Sequence, residues 1–337
     1  MEVNMNAIRM ILIAALSIAA IAGVYFIVAG KTGSPAVAGP PERVWRNDDC
    51  RSCHPGVWQE WYDSWHRLAY VDPLYKKLSN NYADKTCDDC HIPRNIPEVG
   101  FGPRTLPRAS EKESGINCLS CHYDGRSVVA LRDNPAAGCR PRGAPELGTE
   151  LGCIGCHNQH KLHEEWRNTI YFKQGIDCID CHMPAVTRTR GDRTFEGRHH
   201  GFISSRNRDF SHSAVSVAVV GPGDPDGHAG RLVVSVTNEK IGHDFPSDSR
   251  HKAVDLVTRF LGADEHTLGE PRRERFHIPA RDALDQTRTT IPHGETRTFE
   301  YRIPEEAAAA EVLLLYRIMK DDPNVDSQQL FRRIVRW

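Results

Sequence analysis

CRSCH (50–54), CDDCH (87–91), CLSCH (118–122), CIGCH (153–157) and CIDCH (178–182) are five copies of one pentapeptide pattern. The spacing is that of covalent haem attachment. Two thiols add across the two vinyl groups on one porphyrin edge, and the next residue reaches under the ring with an imidazole nitrogen for the iron. The pattern assigns five haem c groups, anchored by Cys50, Cys53, Cys87, Cys90, Cys118, Cys121, Cys153, Cys156, Cys178 and Cys181, with His54, His91, His122, His157 and His182 as proximal iron ligands. Zinc knuckles also use Cys-x-x-Cys pairs, but they have no reason to place a histidine directly after every pair.

The rest of the composition narrows the chemistry. A chain of 337 residues suggests two or three domains, and a net charge of -1 gives no electrostatic argument for nucleic acid. Of 11 cysteines, ten belong to the motifs and Cys139 is left over. It reads as a buried or spare thiol, with an intermolecular bridge or a haem contact as alternatives. Of 17 histidines, five close the motifs and twelve remain for the opposite faces of the irons. Beyond the first ten residues the only methionines are Met183 and Met319. Met/His ligation raises the potential of a c-type haem, so this composition favours mostly bis-histidine irons at lower potential.

Residues 10–29, MILIAALSIAAIAGVYFIVA, are long and apolar enough for a membrane-crossing helix. Domain 1–30 is therefore expected to be a membrane anchor, with an exported and cleaved signal sequence ending near Ala36-Val37-Ala38 as the alternative. Residues 31–47 read as a tether and 48–212 as a pentahaem domain, mainly α and loop with little regular structure. Within it, Trp58, Trp61, Tyr62 and Trp65 form an apolar stripe at helical spacing across 57–70, with His66 four residues after Tyr62. GINCLSCH (115–122) is echoed by GIDCIDCH (175–182). His160 and His163 follow His157 at helical spacings, and His163 is the preferred ligand of the two. The basic segment 188–198 could meet haem propionates or face solvent, and it leads to His199 and His200, of which His200 is preferred.

After residue 212 the period changes. The runs 214–220, 231–238, 252–260, 296–303 and 311–318 are short, rich in Val, Leu and aromatics, and separated by turn signals such as GPGDPDG. They predict an all-β antiparallel sandwich over 213–337. Its loop IGHDFPSDSRH (241–251) carries His243 and His251, either of which could reach back over the haems. The distal iron candidates are thus His66, His163, His200 and His243, with His160, His199 and His251 as alternates.

The first motif followed by WQEWYDSWHRLA, the GIxCxxCH and CIDCHMP motifs and the GHDFP loop resemble the multihaem c-type cytochromes that include the tetrahaem electron acceptor of hydroxylamine oxidoreductase and its larger relatives. The resemblance implies close-packed haems passing electrons along a chain, with distal ligands at the positions of His66, His199 or His200, and His243. The expectation is a periplasmic, membrane-anchored electron carrier. It would work between redox protein partners or beside a membrane quinol-oxidising complex, and it assigns no residue a catalytic role. Two alternatives stay open: a haem oxidoreductase acting on nitrogen oxides or hydroxylamine at one open iron, and a subunit of a larger multihaem assembly.

Overall fold

The structure, a computed structural model, describes residues 45–190, 192–227, 229–321 and 327–337. The expected anchor at 1–30 and nearly all of the tether at 31–47 lie outside the described residues. Among the described residues no helix is long and apolar enough to cross a membrane.

Residues 45–212 are built from short helices of one or two turns and short strands joined by loops rich in proline and glycine. The longest helix there is α1, Pro55–Tyr62, entered through a proline at its first position and left at Asp63. Ser64 then caps a separate turn, Trp65–Leu68, by accepting from Arg67 N. The stripe expected as one helix across 57–70 is therefore two, because Asp63 and Ser64 turn the chain. Trp61 is buried, whereas Tyr62 and Trp65 keep 45% and 40% of their surface exposed.

The basic run 188–198 is a hairpin whose residues 193–196 are exposed, as the solvated-face reading expects, while Arg188 and Arg198 depart from both readings. Residues Ala185–Arg190 (β1) and Arg193–Arg198 (β2) form an antiparallel hairpin in the register Ala185↔Arg198. Arg188 forks onto both oxygens of Glu60 in α1 at 3.0 and 2.6 Å, and Arg198 pairs with Asp180 at 2.8 Å. These two guanidiniums are occupied by carboxylates, so neither reading of the run as propionate partner or solvated face describes them.

Among the described residues seven antiparallel strands follow: Ser216–Val220 (β3), Arg231–Thr237 (β4), Ala253–Leu261 (β5), Arg272–His277 (β6), Thr296–Arg302 (β7), Ala309–Arg317 (β8) and Ser327–Arg336 (β9). They make two sheets, β3-β4-β7 and β9-β8-β5-β6. Along β4, Leu232, Val234 and Val236 are fully buried at alternate positions, and they meet Val254, Leu256, Val312 and Leu314 of the facing sheet. Five strands were expected and lie close to their observed bounds. The two unexpected ones, β6 (RRERFH) and β9 (SQQLFRRIVR), are edge strands whose charged residues hide the period.

The large apolar cluster of the molecule draws its members from 215–335. In 45–212 the buried apolar side chains, such as Trp61, Tyr75, Ile92, Leu119, Val129 and Trp166, lie outside that cluster.

Candidate haem-binding site

Each attachment motif occupies about one helical turn. His54 N donates to Cys50 O at 2.9 Å and His157 N to Cys153 O at 3.0 Å, while Cys118–His122 and Cys178–His182 are short helices. The turn brings the first cysteine and the histidine, four residues apart, to one side. Asn117 with Ser120, and Asp177 with Asp180, cap the last two helices reciprocally.

The echo of GINCLSCH in GIDCIDCH extends further than the motifs. Trp61 Nε1 donates to Ile116 O at 2.7 Å, and Trp166 Nε1 donates to Ile176 O at 3.1 Å. Ser64 Oγ and Thr169 Oγ1 each donate back to the carbonyl of their tryptophan, at 2.6 and 2.7 Å. Two W-x-x-[S/T] segments thus dock two GI-x-C leaders by the same contacts. That signal stood in the sequence and was not read there.

Three of the distal candidates face motif histidines. The ring centroids of His66 and His157 are 6.1 Å apart with planes at 31°, those of His122 and His200 are 6.2 Å apart at 36°, and those of His182 and His243 are 6.4 Å apart at 11°. Two metal–nitrogen bonds of ~2 Å, plus roughly 1 Å from each ring centre to its nitrogen, put trans imidazoles about 6 Å apart. The three pairs therefore fit an iron between them.

Hydrogen bonds orient five of these six rings. Nδ1 of His122, His182, His200 and His243 meets the carbonyls of Val129, Ile203, Arg198 and Asp244 at 3.0, 2.6, 2.8 and 2.8 Å, and Nδ1 of His157 meets Asp248 Oδ2 at 3.1 Å. This fixes the tautomer that leaves Nε2 for a metal. Nδ1 of His66 is buried without a hydrogen-bond partner. Burial disfavours the charged imidazolium and holds His66 down to about 3, and His200 and His243 to about 4. All three are neutral at pH 7, which is the form that ligates.

The other candidates sit elsewhere. His163 stacks on Trp166 with centroids 5.7 Å apart, and its buried Nε2 lies 3.6 Å from Glu150, beyond hydrogen-bond reach. Nε2 of His160 receives Arg250 Nε at 2.9 Å. His199 accepts from Gly201 N at 3.1 Å and lies 4.0 Å from Glu60, while His251 is exposed. The helical spacing that recommended His160 and His163 fails because Lys161 has φ +71° and the helix Leu162–Arg167 starts only after it. The ring of His91 stacks on Tyr75 at 4.1 Å. Cys139 is a half-buried free thiol.

His243 is carried by a well-anchored loop. Phe245 exchanges two backbone hydrogen bonds with Ile291, at 2.9 and 2.8 Å, and fully buried Asn238 donates to His243 O at 2.8 Å. The helix Leu162–Arg167 fastens the same loop through Glu165, which accepts from Asp244 N at 3.1 Å and Ser247 Oγ at 2.9 Å. Thiols of different motifs also meet: Cys50 with Cys118, Cys90 with Cys156, and Cys153 with Cys178. The attachment edges are therefore adjacent across motifs one and three, two and four, and four and five.

Gly115 shows how tightly the site is set. A Cβ there would lie 2.2 Å from His66 O and 2.7 Å from Arg67 O, whereas at Gly175 it would meet nothing within 4 Å, and both glycines have positive φ, +57° and +70°. Gly175→Ala is expected to cost only the left-handed strain of about 1–2 kcal/mol. Gly115→Ala adds a backbone collision and displaces His66, so melting curves should show a larger loss and spectra should show one iron leaving the low-spin state.

Residues 49–123, which include the first three motifs, match the family described as cytochrome c554 and c-prime. A penta-heme cytochrome c552 from Thermochromatium tepidum is similar in fold, with a TM-score of 0.64 at 15% identity over 87% of this chain and 99% of that one. A putative ApaA protein from Bordetella pertussis, 12% identical over 36% of this chain and 90% of that one, has a TM-score of only 0.20 and carries no weight. The motifs, the partial family match and the shared fold support a multihaem c-type cytochrome.

Proposed function

We propose that the chain is an exported pentahaem c-type cytochrome that relays electrons through mostly bis-histidine haems. We assign His157 with His66, His122 with His200 and His182 with His243 as axial pairs, and His54 and His91 as the remaining proximal ligands. The observation that carries the reading is the separation of those three pairs, 6.1, 6.2 and 6.4 Å, each joining a motif histidine to one far away in sequence. Bound haem iron supplies one-electron chemistry between the ferric and ferrous states, at a potential set by axial ligands, burial and nearby charge. The chain holds the imidazoles in fixed tautomers and brings neighbouring attachment edges together, while Phe202 packs against His66 and His200.

The proposal extends to a membrane tether at 1–30, a location on the periplasmic side, and exchange with redox proteins or a quinol-oxidising complex. A relation to the acceptor of hydroxylamine oxidoreductase is part of the proposal and rests on the sequence resemblance of the motifs and the GHDFP loop. Intact mass of the purified protein and EPR of its ferric form test the core reading together. Five haem additions with mainly low-spin signals are expected. Fewer additions would sink the haem count, and a high-spin signal that shifts with added nitrite or hydroxylamine would favour the catalytic reading instead.

A further inference from the structure

The loop 241–251 brings a second group to the haem-binding half besides His243. Asp248 Oδ2 lies 3.1 Å from Nδ1 of His157. The same nitrogen in His91, His122 and His182 meets a backbone carbonyl instead, from Ala69, Val129 and Ile203 at 2.5, 3.0 and 2.6 Å. One motif imidazole is thus held by a full negative charge where three others are held by a peptide dipole. The second oxygen of that carboxylate, Oδ1, is buried without a hydrogen-bond partner, and among the described residues the ion-pair partner of Asp248 is His157 itself. Its charge is therefore not spent on an arginine. Across the expected iron, Nδ1 of His66 has no partner, so the opposite ring receives no matching polarisation.

We propose that Asp248, supplied by the β-sandwich, is a positioning residue that lowers the reduction potential of the iron on His157 below those on His91, His122 and His182. A carboxylate accepting the Nδ1 proton makes the imidazole a stronger electron donor, which favours ferric over ferrous iron. The couple is a single electron: ferric iron takes it and becomes ferrous, the Nδ1 proton stays on His157, and no covalent bond changes. The affected motif is also the one whose thiols touch two others, Cys156 with Cys90 and Cys153 with Cys178. The sandwich would therefore tune the branch point of the array. The inference rests on the reading of His157 as an iron ligand.

The test is a spectroelectrochemical titration of the haem-loaded full chain, wild type beside Asp248→Asn, with EPR on the same samples. Asparagine keeps an oxygen acceptor and tolerates the left-handed backbone at this position, φ +58°. One midpoint potential should rise by a tenfold change in equilibrium constant, about 59 mV for a one-electron couple, and the largest g value of one low-spin signal should move. Asp248→Gly, also suited to positive φ, should give at least as large a rise. Unchanged potentials, an equal shift of all of them, or loss of haem in both variants would overturn the proposal. A wild-type protein whose 153–157 peptide carries no haem would instead sink the ligand reading beneath it.

Discussion

On the proposed five-haem reading, replacing His243 with alanine is expected to convert one iron from low spin to high spin and to open it to carbon monoxide. The His243 ring lies 6.4 Å from His182 at 11°, and burial keeps it neutral at physiological pH, with its pKa pushed down to about 4. The loop does not depend on the imidazole. Phe245 and Asn238 anchor it to the sandwich, and Glu165 fastens it to the haem-binding half. The variant should therefore fold with five haems, bind carbon monoxide at about one fifth of them, and return to low spin when imidazole is added. His251→Ala removes an exposed ring from the same loop and should leave the spectrum unchanged. A His243→Ala spectrum identical to wild type would remove His243 from the ligand set.

Asp255→Ala should cost the protein about 3–5 kcal/mol, the usual penalty for removing one partner of a buried ion pair. Asp255 is on β5, pointing away from Val254 and Leu256, and its side chain is fully buried. Its neighbours on either side each supply an arginine. Arg275 of β6 donates at 2.7 and 3.0 Å, and Arg317 of β8 donates at 2.5 Å. Burial alone would raise this carboxyl, but the two guanidiniums outweigh it and hold it below the ordinary range. A lowered pKa in the folded state means that the contribution is present above the unfolded value, about 3.9, and is lost as the pH falls through the folded one. At roughly 2–4 °C per kcal/mol, the variant should melt about 10 °C lower at pH 7, with the gap narrowing in acid. Equal melting temperatures at pH 7 would show that the network contributes nothing net.

The five Cys-x-x-Cys-His motifs stand out in the sequence because a covalent reaction with two vinyl groups permits little variation in spacing, and the structure folds each into about one helical turn. The sandwich was legible where burial imposes alternation, as along Leu232, Val234 and Val236. It was illegible at β6 and β9, where edge positions carry arginines that pair with carboxylates on neighbouring strands, such as Arg332 with Glu311 at 2.8 Å. Helical spacing is interrupted in two places, at Asp63–Ser64 and at Lys161, so the periods that drew attention to His66, His160 and His163 do not run through continuous helices. His66 meets Phe202 at 4.0 Å and faces His157 by a route that the aromatic stripe did not suggest. Asp248 carried no signal at all, since its partner is 91 residues away.

That separation bears on how the molecule is assembled. All ten anchoring thiols are made before the segment that supplies His243 and Asp248, since the last motif ends at residue 182. During synthesis the early portion can present bare pentapeptides to whatever catalyses thioether formation. The segment 241–251, which contacts His157 and the helix Leu162–Arg167, follows all of these motifs in the chain, so on the proposed reading the final third of the polypeptide would act as a stopper inserted after filling.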